Sequence, residues 1–164
     1  MTSGRSVSLH HFSTLAENRR LAAELAALAR RRLEIFSHEL EGGVYDQRPF
    51  LEAVKALALR GHHGEIRILV RDASRAVREG HRLIDLAHHF PSNFHVRRIP
   101  GEFEEQVEGF LVVDDTGWLR KPLSDHFEGV ASLDDPPEAR ALRARFDEIW
   151  EQSEPDPEFR RLHI

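Results

Sequence analysis

The sequence predicts a single α/β domain built on a mixed, largely parallel sheet flanked by helices. Segments of strand period alternate with segments of helical period along the chain, and one strand segment, Phe110 to Val113, is apolar without interruption, as in a strand covered on both faces. With 164 residues the chain suits one domain, which buries about 70% of its unfolded surface and needs no covalent staple.

Residues 1–12 show no period and are expected to form a flexible N-terminal arm, leaving 13–164 as the domain. Thr14-Leu15-Ala16-Glu17 is a capping box that opens a helix reaching about Arg31, with Leu21, Leu25 and Leu28 on one stripe. Leu33 to Phe36 then reads as a short strand ending at Ser37-His38, and Glu41-Gly42-Gly43 as a flexible loop. Asp46 suits the N-cap of a second helix. Pro49 falls in its first turn, and Phe50, Leu51, Val54, Leu57 and Ala58 recur at helical spacing.

Glu65 to Val70 is the clearest strand and stops at Arg71-Asp72. Ser74 is expected to cap a third helix running to about Phe90, with Val77, Gly80, Ile84, Ala87 and Phe90 on its buried stripe and Gly80 allowing close approach to the sheet. Further strands are predicted at Phe94–Ile99, Phe110–Val113, Trp118–Arg120 and Gly129–Leu133, with turn chemistry at Asp114-Asp115-Thr116-Gly117. Asp135-Pro136-Pro137-Glu138 opens a last helix that buries Leu142, Phe146, Ile149 and Trp150. Pro155-Asp156-Pro157 breaks it, and Glu158 to Ile164 form a short terminal element.

Composition excludes several chemistries. The chain has no cysteine, so disulfides, thiolate metal sites and a cysteine nucleophile are absent. A net charge of -5 argues against general nucleic-acid binding, which needs a basic surface. No apolar run approaches the roughly 20 residues of a membrane span or forms a signal peptide, so the expected location is the cytoplasm, away from membranes.

The run Leu33-Glu34-Ile35-Phe36-Ser37, a capped helix ending at Arg60-Gly61, and Glu65-Ile66-Arg67-Ile68-Leu69-Val70-Arg71-Asp72 together resemble one half of the phospholipase D superfamily. Phe110-Leu111-Val112-Val113-Asp114 is similar to the strand carrying that family's His-x-Lys-x-x-x-x-Asp motif. On this resemblance Asp114 is the motif's aspartate, while the histidine and lysine positions fall on Val107 and Gly109. The family's Gly-Ser-x-Asn segment is replaced by Gly117-Trp118-Leu119-Arg120-Lys121-Pro122. Phosphodiester transfer needs an imidazole to attack phosphorus and a cation on its oxygens, and neither valine nor glycine supplies these. The resemblance therefore implies a non-catalytic module that binds a partner protein or a phosphorylated small ligand. It also implies that half-domains pair, making a homodimer one expected assembly. Gly80-His81-Arg82-Leu83-Ile84-Asp85-Leu86-Ala87 and the Trp150-Glu151-Gln152-Ser153 ending resemble a bacterial family sometimes attached to acetyltransferase domains, which makes an acetyltransferase-type partner a second expectation.

Ligands of open α/β sheets bind beyond the carboxyl ends of strands. This rule nominates Ser37, His38, Arg71, Asp72, Asp114 and Arg120 as ligand-binding candidates, together with Arg97 and Arg98. Arginine forks and a serine hydroxyl suit a phosphate, although Asp72 and Ser74 also suit a helix cap. His81, Asp85 and His88 share one edge of the third helix, with His81 the preferred polar candidate. A buried histidine hydrogen-bonded to a neighbour explains them better than a metal site, and no cofactor is expected. The competing reading is a phosphoester hydrolase with a relocated site of His38, Asp72, His81 and Asp114.

Overall fold

The computed structural model describes residues 7–160; residues 1–6 of the predicted arm and 161–164 of the terminal element lie outside the described residues. Strands β1 (His10–Phe12), β2 (Arg32–Ser37), β3 (Glu65–Val70), β4 (Phe94–Arg98), β5 (Gly109–Val113), β6 (Gly117–Lys121), β7 (Gly129–Ser132) and β8 (Glu154–Pro155) form one mixed sheet. Their order is β1-β7-β6-β5-β2-β3-β4-β8. The helices are α1 (Leu15–Leu28), α2 (Gly42–Tyr45), α3 (Arg48–Ala58), α4 (Ser74–Arg78), α5 (Arg82–His89), α6 (Pro136–Glu151) and α7 (Pro157–Arg160).

The parallel part of the sheet is β2-β3-β4, narrower than the expected largely parallel arrangement. Helical crossovers join these three strands, whereas β5, β6 and β7 follow one another through short turns and must run antiparallel. The end of the predicted arm is also ordered: β1 pairs with β7 at the sheet edge.

Two faces of the sheet are buried by different helices. Leu33, Ile35, Ile68, Val70, Leu111 and Leu119 pack under α1, α3 and α5, and Phe36, Leu69, Phe110, Val112 and Trp118 pack under α6. Capping follows the sequence at α1, where Glu17 N donates to Thr14 Oγ1 at 3.2 Å and Glu17 Oε1 accepts from Ser13 N at 3.3 Å. Elsewhere the caps shift. Gln47, rather than Asp46, caps α3, because Asp46 closes the short turn of α2. The predicted third helix is two helices: Gly80, at φ +66°, stops α4, and His81 starts α5 as its N-cap. Gly80 is exposed, with open space where a Cβ would stand, so it serves a change of chain direction rather than close packing.

The α6 face carries a buried charge network. Glu34, fully buried, accepts from Arg143 Nε at 3.0 Å and Nη2 at 2.8 Å, and from Arg67 Nη2 at 3.1 Å. Arg67 in turn reaches Asp147 at 2.7 Å and lies over the Phe146 ring, 4.9 Å from its centroid. This network fixes α6 on the sheet, since removing one member leaves a buried charge uncompensated. Glu34→Ala is expected to destabilise the fold by about 3–5 kcal/mol. Urea unfolding of both proteins checks it, and an unchanged midpoint would show that the network contributes nothing.

Candidate functional site

Register decides what meets at the carboxyl edge of β2. Phe36 pairs with Phe110 and Gly109 with Lys121, so Ser37, Gly109 and Lys121 form one row across three strands. Side chains alternate between faces along a strand. Ser37 lies two residues from Ile35, Gly109 two from Leu111 and Lys121 two from Leu119, which places all three on the α1/α3 face.

The chain closes over this row immediately after β2. Leu40 adopts φ 60°, held there by Ser37 Oγ accepting from its backbone N at 3.0 Å, and the turn delivers Glu41 above the row. Glu41 Oε2 accepts from Ser37 Oγ at 2.9 Å, and Oε1 accepts from Ser124 Oγ at 2.8 Å. Lys121 Nζ donates to the Ser124 carbonyl at 2.8 Å and stands 3.8 Å from Glu41 Oε1. Ser124 Oγ accepts from His38 N at 3.1 Å, and the His38 ring bonds the Gln106 carbonyl through Nε2 at 3.2 Å. Ser37, Lys121 and Ser124 are buried. Burial pushes the Lys121 ammonium below its ordinary range, opposed by Glu41 and Asp125.

Six of the candidates nominated by sequence divide among four places. Ser37 and His38 belong to this cluster. Arg71 and Asp72 lie beside it at the end of β3, where Asp72 N donates to the His38 carbonyl at 2.8 Å and Asp72 Oδ1 accepts from Ser74 N at 3.0 Å; Ser74 is the first residue of α4 and Ala73, not Ser74, its N-cap. Arg120 points to the opposite face, where it pairs with Glu138 of α6. Asp114 stands at the other end of β5, its carboxylate accepting from the backbone N–H groups of Arg30, Arg31 and Arg32 at 2.9 to 3.0 Å. Asp114 and Arg120 are thus not brought to the Ser37 cluster.

His81 is buried, and its Nδ1 accepts from Leu83 N at 3.1 Å, which puts the proton on Nε2. Because His81 lies ahead of α5, it does not share a helix edge with Asp85 and His88. Among the described residues, Nε2 has no hydrogen-bond partner of standard geometry. Burial lowers the basicity of the imidazole, against the pull of Asp46, the Leu40 carbonyl and Glu41.

Sequence reasoning missed Glu41, Lys121 and Ser124. Lys121 left one signal: it occupies an inward position, two residues after Leu119, in a segment of strand period.

Residues 14–162 match the family described as Domain of unknown function (DUF7931). The chain belongs to that family. By sequence, no curated protein matches it. By structure, this DUF7931 chain is similar to NucT from Helicobacter pylori, at 14% identity and a TM-score of 0.67, over 92% of this chain and 99% of that one. It is similar to Nuc from Salmonella typhimurium, a phospholipase D family member, at 13% identity and a TM-score of 0.62, over 92% and 97%. The archaeal chromatin protein TrmBL2 is a further neighbour at 13% identity and a TM-score of 0.63, and the chain covers 90% of itself but 54% of that protein's length. The DUF7931 fold is phospholipase D-like, as the strand-helix-strand resemblance implied.

Two outcomes follow from this geometry. A Cβ on Gly109 would stand 2.9 Å from Ser124 Oγ and 3.1 Å from Ser124 Cβ. Gly109→Ala should therefore cost about 1–3 kcal/mol as overpacking, and Ser124→Gly in the same chain should recover part of that cost; additive losses in chemical denaturation would refute the contact. For His81, the unfolded chain binds a proton near the ordinary value of 6.5 and the folded chain resists it. Stability contributed by neutral His81 is thus complete above 6.5 and declines as pH falls through 6.5 toward the folded value. Stability curves between neutral and mildly acid pH should be shallower for His81→Gln than for the unaltered protein.

Proposed function

We propose that this chain is a non-catalytic phospholipase D-like module that acts by binding a partner protein or a phosphorylated small ligand. The observation carrying this reading is the side chain of Ser124, which occupies the space over Gly109, the position of the missing lysine. The neighbouring ammonium, Lys121, is already engaged by the Ser124 carbonyl and Glu41. Phosphoryl transfer requires an unengaged nucleophile and donors directed at the phosphate oxygens. In this row the hydroxyls and the carboxylate satisfy one another instead.

The competing hydrolase needs His38, Asp72, His81 and Asp114 around one cavity. Asp114 bonds three backbone amides at the opposite edge of the sheet, which argues against it. For a protein partner, including a second copy of the chain, the same carboxyl edge offers Val107, Leu123 and Phe127, exposed at 45%, 41% and 49%.

Incubation with bis(4-nitrophenyl) phosphate should release nitrophenol at the rate of buffer alone. Turnover above that rate, abolished in either Lys121→Met or His38→Ala, would overturn the non-catalytic reading.

A further inference from the structure

The carboxyl ends of β3 and β4 open into a cleft of about 690 Å³, within the roughly 300–1,000 Å³ typical of small-molecule sites. Its position is the one open α/β sheets use for ligands. The neighbouring crevice between β2 and β5, where the strand order reverses, is filled by the Glu41 cluster, so β3 and β4 carry the concavity. Arg71, Arg98, Glu104 and Glu154 line it.

These four side chains differ from the other buried or clustered charges of the molecule. Glu34, Arg67, Arg143, Lys121 and Arg120 are all engaged in ion pairs. Among the described residues, no ion pair or side-chain hydrogen bond joins Arg71, Arg98, Glu104 or Glu154 to any group. Arg98 and Glu154 stand directly opposite each other in the β4–β8 ladder and still do not pair. Arg98 feels Asp72 and Asp156 electrostatically, but Asp72 is committed to Ser74 and Asp156 to the backbone of Glu158 and Phe159. An exposed pair gains little in water, so holding these charges apart costs little and leaves two donor forks and two carboxylates facing one space.

We infer that this cleft binds a small zwitterion, a phosphate monoester carrying an ammonium group, with Arg71 and Arg98 on the phosphate and Glu104 and Glu154 on the ammonium. A polyanion such as nucleic acid is disfavoured, because Asp72, Glu104 and Glu154 would face its backbone. The assignment rests on the proposal that the module binds a phosphorylated ligand, and it specifies the place and the second charge.

Calorimetric titration of the full chain with 3-aminopropyl phosphate, propyl phosphate and propylamine tests it. The zwitterion should bind one-to-one and at least about tenfold more tightly than either fragment. Arg71→Gln with Arg98→Gln should weaken it at least about tenfold, whereas Glu104→Gln with Glu154→Gln should reduce it to the affinity of propyl phosphate. All four side chains lie on the cleft surface, and circular dichroism confirms that each variant is folded. Equal affinity for the zwitterion and propyl phosphate, no saturable binding, or arginine-dependent binding of a short DNA duplex instead would overturn the assignment. Release of inorganic phosphate from bound 3-aminopropyl phosphate would overturn the non-catalytic reading while leaving the cleft assignment standing.

Discussion

The carboxylate of Asp114 fixes the register on which the opposite edge of the sheet depends. It accepts from three consecutive backbone N–H groups, those of Arg30, Arg31 and Arg32, just where α1 gives way to β2. Charge-assisted bonds of this kind are stronger than neutral ones and directional. They tie the start of β2 to the end of β5, so that Leu33 faces Val113 and Ser37 arrives opposite Gly109. A slip of one residue would turn Ser37 toward α6 and separate it from Lys121. Asp114 itself sits at φ 49°, a conformation aspartate adopts at little cost. The residue that resembles a motif aspartate therefore acts as a register clamp, five residues from the row it aligns.

At that row the fold accepts strain. Leu40 is a buried, non-glycine residue at φ 60°, a conformation that costs about 1–3 kcal/mol. What holds it is the hydrogen bond that its backbone N–H donates to Ser37 Oγ and the two hydroxyl hydrogen bonds that its neighbour Glu41 accepts. Hydrogen bonds to a charged group contribute about 1.5–3 kcal/mol each, enough to offset the strained turn. Each hydroxyl donates to the carboxylate and accepts a backbone N–H, so the network is closed on itself. Such closure stabilises a buried polar cluster and leaves it with little capacity for an incoming ligand.

Elements with a full period were legible in the sequence: the Thr14–Glu17 box, the EIRILV strand and the apolar run of β5 all form where the pattern put them. The short β1, α2 and β8, of two to four residues, carry too little pattern to register. The break at Gly80 escaped notice because apolar spacing continues through it, and only the positive φ ends the helix. At the site, Ser37 and His38 were visible as a strand end. Glu41 and Ser124 were not, because the bond joining them spans 83 positions and neither belongs to a periodic segment. Strand direction was equally hidden: period 2 is the same in parallel and antiparallel ladders, and the connections decide between them.

Both faces of the sheet satisfy buried charge in the same way, and the solvent-exposed strand ends do not. Under α6, Glu34 and Arg143 are buried and locked to each other with two bonds, the arrangement that makes a desolvated charge tolerable. Lys121, on the other face, meets the same requirement through Glu41 and a carbonyl. At the ends of β3 and β4 water reaches the side chains, desolvation no longer compels pairing, and β8 runs alongside β4 only for Arg97 and Arg98. Pro155 and Pro157 limit how far β8 can extend that ladder, since neither offers an N–H. At the carboxyl ends of β3 and β4 the surface opens into the cleft, and among the described residues the charges on its rim remain exposed to solvent.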